Sequence, residues 1–362
     1  MQYFLVFFWL FFAAIMGHMA GMHRRVKVLG KEERRATLLY AWIVFLPILF
    51  IVVTRSNYFG DTGQYISEYR RIPSDLAGKW SYVQSHSKDT GFYALGSFVS
   101  IFAGDHFRYF FLVIALIQSG CLIKTYRKYS EDYWFAIFVF VATTDYLSWM
   151  FNGIRQFTAV AITFAAAEPI FKKKYVKACV IIALASLFHK SALMMIPVVF
   201  IVQGRPWNWK TVLVILGTVV IMSVSGVFTD TLDMVLQDTQ YSNVVSDWTS
   251  WGDDGTNPLR VLVYSVPTIL SLFCRNKIAK SGDRVVQIAC NMGIVSTALY
   301  LVSMVTSGIF MGRLPIYCSL YANGILLPWE LNHVFGKQMR SLAIVCYVVF
   351  YFFQLIFAWG AL

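Results

Sequence analysis

The chain has 362 residues, of which 58% are hydrophobic, 17% aromatic and 14% charged, with a formal net charge of +12. A soluble domain carries about 25% charged residues, so this composition excludes a soluble fold and puts most of the chain in a membrane. The basic excess lies in short loops between apolar runs, the positive-inside arrangement, which argues against nucleic acid as a partner.

Apolar runs long enough to cross a bilayer as helices fall near residues 2–21, 37–54, 107–123, 133–150, 154–171, 211–228, 258–274, 285–306, 310–330 and 341–360. The first is followed, not preceded, by Arg24-Arg25. It reads as a transmembrane helix with its N-terminus outside, not as a cleaved signal. The loops 22–36, 124–132, 171–177, 203–210, 275–284 and 333–340 hold most of the 31 Lys and Arg and are expected in the cytoplasm. The first large outer loop contains Arg55, Asp61, Gln64, Tyr65, Tyr69, Arg70 and Arg71 and runs on to Asp89-Thr90-Gly91. Residues 91–103 are apolar but short, and are expected as a partial helix on the outer face. Residues 176–202 are long for one span and short for two. Charge parity of the flanking loops asks for two short helices broken at His189-Lys190-Ser191, because such a break is tolerated at membrane depth only inside protein or beside a wet cavity. The second outer loop, 229–257, carries Asp230, Asp233, Asp238, Asp247, Asp253 and Asp254 with Trp248 and Trp251 and no Lys or Arg. Its rings suit sugar faces and equally suit the interfacial aromatic belt, and the spacing of its acids is not that of an EF-hand.

No segment is long and polar enough for a separate soluble domain. The expected architecture is one integral membrane domain over 1–362: an all-α polytopic bundle of about 10–12 helices with extracytoplasmic loops near 55–106 and 229–257. Cys121, Cys179, Cys274, Cys290, Cys318 and Cys346 lie in or beside apolar runs without metal-ligand spacing, and read as small packing residues. There is no internal repeat and no P-loop or Rossmann motif. Charged residues at membrane depth are costly and usually functional, which singles out Arg155 in Asn152-Gly153-Ile154-Arg155-Gln156, Arg313 in Gly312-Arg313-Leu314-Pro315, and His189-Lys190.

Four of these segments, in order, resemble one family. Arg55-Ser56-Asn57-Tyr58-Phe59-Gly60-Asp61-Thr62-Gly63-Gln64-Tyr65 resembles the first outer loop of the EpsG family, the Wzy-type bacterial polysaccharide polymerases. Asn152-Gly153-Ile154-Arg155-Gln156 is similar to its central motif, Phe188-His189-Lys190-Ser191-Ala192-Leu193 to its FHxSAL segment, and Gly312-Arg313-Leu314-Pro315-Ile316-Tyr317 to its late Arg-aromatic helix start. The departures are small: Thr62 follows Asp61, and Ile316 precedes Tyr317. The resemblance covers residues 37 to 330 and implies a GT-C-like glycosyltransferase at the outer face of the cytoplasmic membrane. Its substrates would be oligosaccharides on undecaprenyl pyrophosphate. Membrane lipids are expected partners, and a chain-length-regulating co-polymerase is a further candidate.

Such a reaction needs fixed cations for the departing pyrophosphate, a base for the acceptor hydroxyl and an apolar path for polyprenyl tails. Arg binds phosphate oxygens in a fork and keeps its proton, so Arg155 and Arg313 at helix starts are the expected pyrophosphate ligands, with Lys190. The bland alternative for each Arg is snorkelling or pairing with an acid such as Asp145. His189 is one candidate base, since histidine titrates near neutral pH; its alternative is a neutral His bonded to a backbone carbonyl at the break. Asp61 is the rival base, or a carboxylate beside developing positive charge; its alternative is an Asx turn or helix cap. Arg55, Gln64, Tyr65, Asn152, Gln156 and Tyr317 are expected substrate contacts. No metal or other cofactor is expected, and the absence of a paired-carboxylate signature favours inversion by single displacement. A lipid-linked oligosaccharide flippase is the competing reading; it would show broken helices in corresponding halves, and only one break is evident. A membrane acyltransferase would draw its donor from the cytoplasm, away from these motifs.

Overall fold

The computed structural model describes residues 2–236 and 255–358, with side chains from 5 to 235 and from 255 to 357. Trp248, Trp251 and the acids Asp238, Asp247, Asp253 and Asp254 of the second outer loop lie outside the described residues. The chain is an all-α polytopic membrane protein, 78% helical. By length and composition, four described helices can cross a membrane: Phe107–Tyr129, Pro258–Lys280, Arg284–Met304 and one within the run Met311–Phe357. The number rises to six if each of two bent pairs is one span. Two compact units share the chain: residues up to 195 together with residues from 336 onward, and residues 196–335.

In the first unit, helices α1 (Gln2–Met19) and α2 (Leu38–Thr54) are joined by a hairpin of β1 (His23–Val28) and β2 (Lys31–Ala36). Its two turn residues, Leu29 and Gly30, both have positive φ, the geometry that matches strand twist in two-residue hairpins. Next come α3 (Thr62–Arg70), α4 (Leu76–Ser85), α5 (Thr90–Ala103) and α6 (Phe107–Tyr129). The stretch expected as an outer loop therefore contains two helices, and the partial helix expected at 91–103 is α5. Two tryptophan N–H groups of this unit are satisfied on neighbouring carbonyls: Trp9 donates to Ile43 at 2.8 Å and Trp134 to Leu10 at 2.7 Å. An indole can thus be kept out of water without leaving a donor unmade.

The span expected at 133–150 is two helices, α7 (Tyr133–Ala142) and α8 (Asp145–Phe151), bent by 75°. Thr143 and Thr144 cause the bend. Thr143 Oγ1 donates back to the Val139 carbonyl, and Thr144 takes a positive φ of 60°, so side-chain bonding competes with helix continuation. The span expected at 154–171 is α9 (Ile154–Phe164) and α10 (Ala167–Phe171). α11 (Tyr175–Ser186) ends before His189, and a 3₁₀ turn (Lys190–Met194) leads into α12 (Met195–Ile201). The break lies where polar residues interrupt the apolar run, as expected.

The second unit includes α13 (Trp209–Ser223) and α14 (Ser225–Leu236), bent by 99° where one span was expected at 211–228. It continues with α15 (Pro258–Lys280), the largely buried α16 (Arg284–Met304), and α17 (Ile316–Tyr321) and α18 (Leu327–Glu330), each followed by a π-helical turn. Asn291 on α16 donates to the Val202 carbonyl at 3.0 Å, and Trp207 donates to Ser271 Oγ at 3.1 Å. Glu330 is fully buried and accepts from Cys274 Sγ at 3.5 Å. The final helix, α19 (Gly336–Phe353), belongs to the first unit.

Candidate functional site

Three of the four motifs singled out in the sequence meet in the first unit. The junction of α8 and α9 is Asn152-Gly153. The Asn152 side chain lies so close to Gly60 that a Cβ there would overlap its Oδ1, and Gly60 has φ +49°. Only glycine combines that backbone with that contact. Tyr65 Oη donates to the Asn152 carbonyl at 2.6 Å. Burial pushes the Tyr65 phenol up to about 12, so it remains a donor. The outer loop is thereby docked on the central motif, above a buried cluster that includes Tyr65, Tyr69, Phe92, Phe110, Phe111 and Ile154.

Arg155 starts α9 inside this arrangement. Its Nη1 donates to Asp89 Oδ2 at 3.3 Å and to Tyr93 Oη at 3.2 Å, and its Nη2 reaches Glu68 Oε1 at 3.5 Å. The rings of Tyr65, Phe92 and Tyr93 surround the guanidinium at 5.5–5.7 Å. Gln64 Nε2 donates to the same Glu68 oxygen at 3.3 Å. The acids that meet Arg155 are therefore Glu68 and Asp89 rather than the anticipated Asp145. Both contacts are longer than the 2.7–2.9 Å typical of tight charge-assisted bonds, and each uses a single oxygen. Asp89 precedes α5 without capping it by its side chain. Burial raises the Asp89 carboxyl above the ordinary range, against the pull of Arg155, Lys88 and Lys190.

The broken helix is pinned to the same place. Gly91 N–H donates to the Leu187 carbonyl at 2.8 Å, and a Cβ on Gly91 would stand 2.9 Å from Leu187 Cβ and 3.0 Å from its oxygen. Beyond the break, His189 caps the 3₁₀ turn. Ser191 N–H donates to its Nδ1 at 3.4 Å, and Ser191 Oγ lies 2.7 Å from that nitrogen. Gln156 Nε2 reaches Ser191 Oγ at 3.5 Å. The anticipated alternative had His189 donating to a carbonyl. A backbone N–H can only donate, so Nδ1 accepts and the neutral ring carries its proton on Nε2. Lys190 is exposed beside it.

The model of the EpsG family matches residues 38–361. The chain belongs to the EpsG family. No curated protein and no solved structure matches it. The family is associated with polysaccharide polymerisation, the activity its resemblance implied.

For an EpsG-family chain, the remaining expected residues have distinct settings. Arg55 was expected to face substrate; it is 7% exposed. Its Nε donates to Thr62 Oγ1 at 2.9 Å and its Nη1 to the Val52 carbonyl at 2.6 Å, with the guanidinium 4.2 Å from the Phe111 ring centre. It braces the end of α2 to the start of α3. Arg55→Leu should lower folding stability by about 2–3 kcal/mol, read as a fall in Tm, and leave affinity for a prenyl diphosphate in the folded fraction unchanged. Asp61 is exposed before α3 and makes no side-chain capping bond. Arg313 and Tyr317 belong to the second unit. Arg313 ends a 3₁₀ turn, Met311–Arg313, and Tyr317 is buried at the start of α17. Gly312 there packs against Thr256, whose N–H donates to the Ser303 carbonyl at 2.9 Å.

Sequence reasoning left Glu68, Asp89, Tyr93 and Ser191 without roles. Glu68 had a local signal, since it lies one helical turn after Gln64. Asp89 had none, because its partner is distant in sequence. An apolar cavity of about 540 Å³ opens along α2, lined by Trp9, Leu46, Phe50, Val53, Thr54 and Leu112 among others. Thr54, on its wall, adjoins Arg55.

Proposed function

We propose that this protein is a polymerase joining oligosaccharide repeat units carried on undecaprenyl pyrophosphate, at the outer face of the bacterial cytoplasmic membrane. An acceptor hydroxyl oxygen attacks the donor's anomeric carbon. The carbon–oxygen bond to the pyrophosphate breaks, the leaving group takes the electron pair, and the hydroxyl proton passes to a base. The configuration inverts in one displacement, with no sugar bound covalently to the enzyme and no metal ion. The scaffold is a GT-C-like bundle with its N-terminus outside. A co-polymerase that sets chain length would act from a neighbouring surface.

The observation that carries this reading is the setting of Arg155. It stands at a helix start, where backbone N–H groups favour anions, and is held by aromatic rings and two long carboxylate contacts. A diphosphate offers oxygens in pairs, which a guanidinium fork matches better than two separate single-oxygen contacts do. Lys190 and the Nε2–H of His189 add donors from the broken helix. Arg313, in the second unit, is a candidate for phosphate oxygens by the same chemistry. Asp61 supplies negative charge to the anomeric carbon as positive charge develops there. Gln64 and Gln156 are hydroxyl-bonding candidates, and the polyprenyl tail takes the apolar cavity along α2.

The test is turnover of a defined lipid-linked repeat by the purified protein. A ladder of longer lipid-linked products is expected; movement of the repeat across vesicles without joining would support a flippase instead. A second outcome follows from Asp89. Burial holds its pKa above the ordinary value, so the native protein binds this proton more tightly than the unfolded chain. Its charge therefore opposes folding, an effect absent at low pH that grows as pH rises from the ordinary to the raised pKa. Asp89→Asn should leave stability at neutral pH undiminished. It should also tighten binding of a short prenyl diphosphate several-fold, because one of the two carboxylates competing for Arg155 is gone.

A further inference from the structure

We propose that His86 is the general base that takes the acceptor hydroxyl's proton, in place of His189 or Asp61; this rests on the polymerase reading above. His86 follows α4, and its Nδ1 lies 2.7 Å from the Tyr82 carbonyl oxygen. A carbonyl can only accept, so Nδ1 carries the ring proton and Nε2 holds the lone pair. Ser85 Oγ, 3.2 Å from the same nitrogen, donates its own hydrogen to that carbonyl at 2.8 Å, so it leaves the assignment intact. His189 has the opposite tautomer: Ser191 N–H occupies its Nδ1, and Nε2 bears the proton. One imidazole is set to receive a proton and the other to donate a hydrogen bond.

The His86 ring is held for that task. It stacks on Tyr93 with centroids 3.8 Å apart and leans on Tyr82 at 4.5 Å. Thr90 Oγ1 donates to the His86 carbonyl at 3.0 Å. Tyr93 links the ring to the leaving-group end of the site, because its hydroxyl accepts from Arg155. The charged groups around this pair of tyrosines are Glu68 from α3, Arg71 just after it, Asp89 before α5 and Arg155 from α9. His86 is half-buried, close enough to water to release its proton after each transfer. An imidazole with one nitrogen tied to a backbone carbonyl and the other presented as a lone pair is the arrangement a general base needs.

The experiment uses the full chain in lipid nanodiscs with a lipid-linked repeat. Initial rates are followed against pH for wild type, His86→Asn and His189→Asn. The Asn amide at 86 can still donate to the Tyr82 carbonyl but cannot accept the proton. His86→Asn should lose on the order of 100-fold in rate, keep its half-saturating acceptor concentration, and lose the fall in rate on the acid side. His189→Asn should keep that acid limb and bind the diphosphate more weakly. An intact acid limb or a near-normal rate in His86→Asn overturns the proposal. Independently of any variant, ¹⁵N spectra of histidine-labelled wild type should show His86 as the Nδ1–H tautomer, and an Nε2–H form there overturns it too. If wild type with ample substrate makes no polymer, the polymerase reading falls and this inference with it; polymer from wild type with an unchanged His86→Asn sinks the base assignment alone.

Discussion

Arg155→Lys is expected to abolish polymer synthesis almost as completely as Arg155→Ala, with each losing roughly 100- to 1,000-fold in turnover. The guanidinium reaches Asp89 and Tyr93 through one nitrogen and Glu68 through the other. A lysine ammonium is a point charge on a flexible stem; it can satisfy one of those partners or one phosphate oxygen, but cannot hold a fixed plane among Tyr65, Phe92 and Tyr93. The loss should fall on turnover with the fold retained, because the aromatic cluster beneath survives either change. Turnover by purified variants, with Tm measured alongside, checks this. A lysine variant within tenfold of wild type would show that charge alone suffices and that paired donors are not needed.

Gly91→Ala, which alters no group with acid, base or cationic chemistry, should cost on the order of 100-fold in turnover. The added methyl would meet Leu187 Cβ at 2.9 Å and the Leu187 backbone oxygen at 3.0 Å. Backbone cannot step aside as a flexible side-chain end can. Either the Gly91–Leu187 hydrogen bond breaks, or the helix break that carries His189 and Lys190 shifts by several tenths of an ångström. A misplacement of about 1 Å at a reacting centre is enough for a loss of that size. Gly120→Ala on α6 is the control. Nothing lies within 4 Å of its added Cβ, and glycine inside a helix is about 1 kcal/mol worse than alanine, so that variant should be active and no less stable. Equal behaviour of the two variants would remove the pinned break from the account.

The helical membrane class was legible because hydropathy reads burial and length directly. Backbone direction was not. Thr143-Thr144 and Val224 bend their helices by 75° and 99°; the polar residues there, Thr143, Thr144 and Asp145 at the first and Ser223 and Ser225 at the second, are too few to interrupt the hydropathy of the run, so each bend reads as part of one span. The break at His189 was legible because polar residues interrupt the run there. Asp61-Tyr65, Asn152-Gln156 and His189-Ser191 stood out separately; their meeting depends on contacts such as Tyr65 to Asn152 across 87 residues, which no local pattern encodes. The burial of Arg55 was not legible, because an arginine after an apolar run normally faces water, whereas here it packs on Phe111 and donates to Thr62. His86 was hidden inside a stretch read as loop, and its chemistry depends on which ring nitrogen faces a carbonyl.

The claim that Arg155 grips the diphosphate of a lipid-linked substrate is tested most directly by the affinity of purified wild type and Arg155→Lys for a short prenyl diphosphate, with the matching prenyl alcohol as reference. The account predicts at least a tenfold weaker Kd for the diphosphate in the lysine variant and no change for the alcohol. Equal diphosphate affinities in the two proteins would contradict it and leave Arg155 as a brace between α3, α5 and α9.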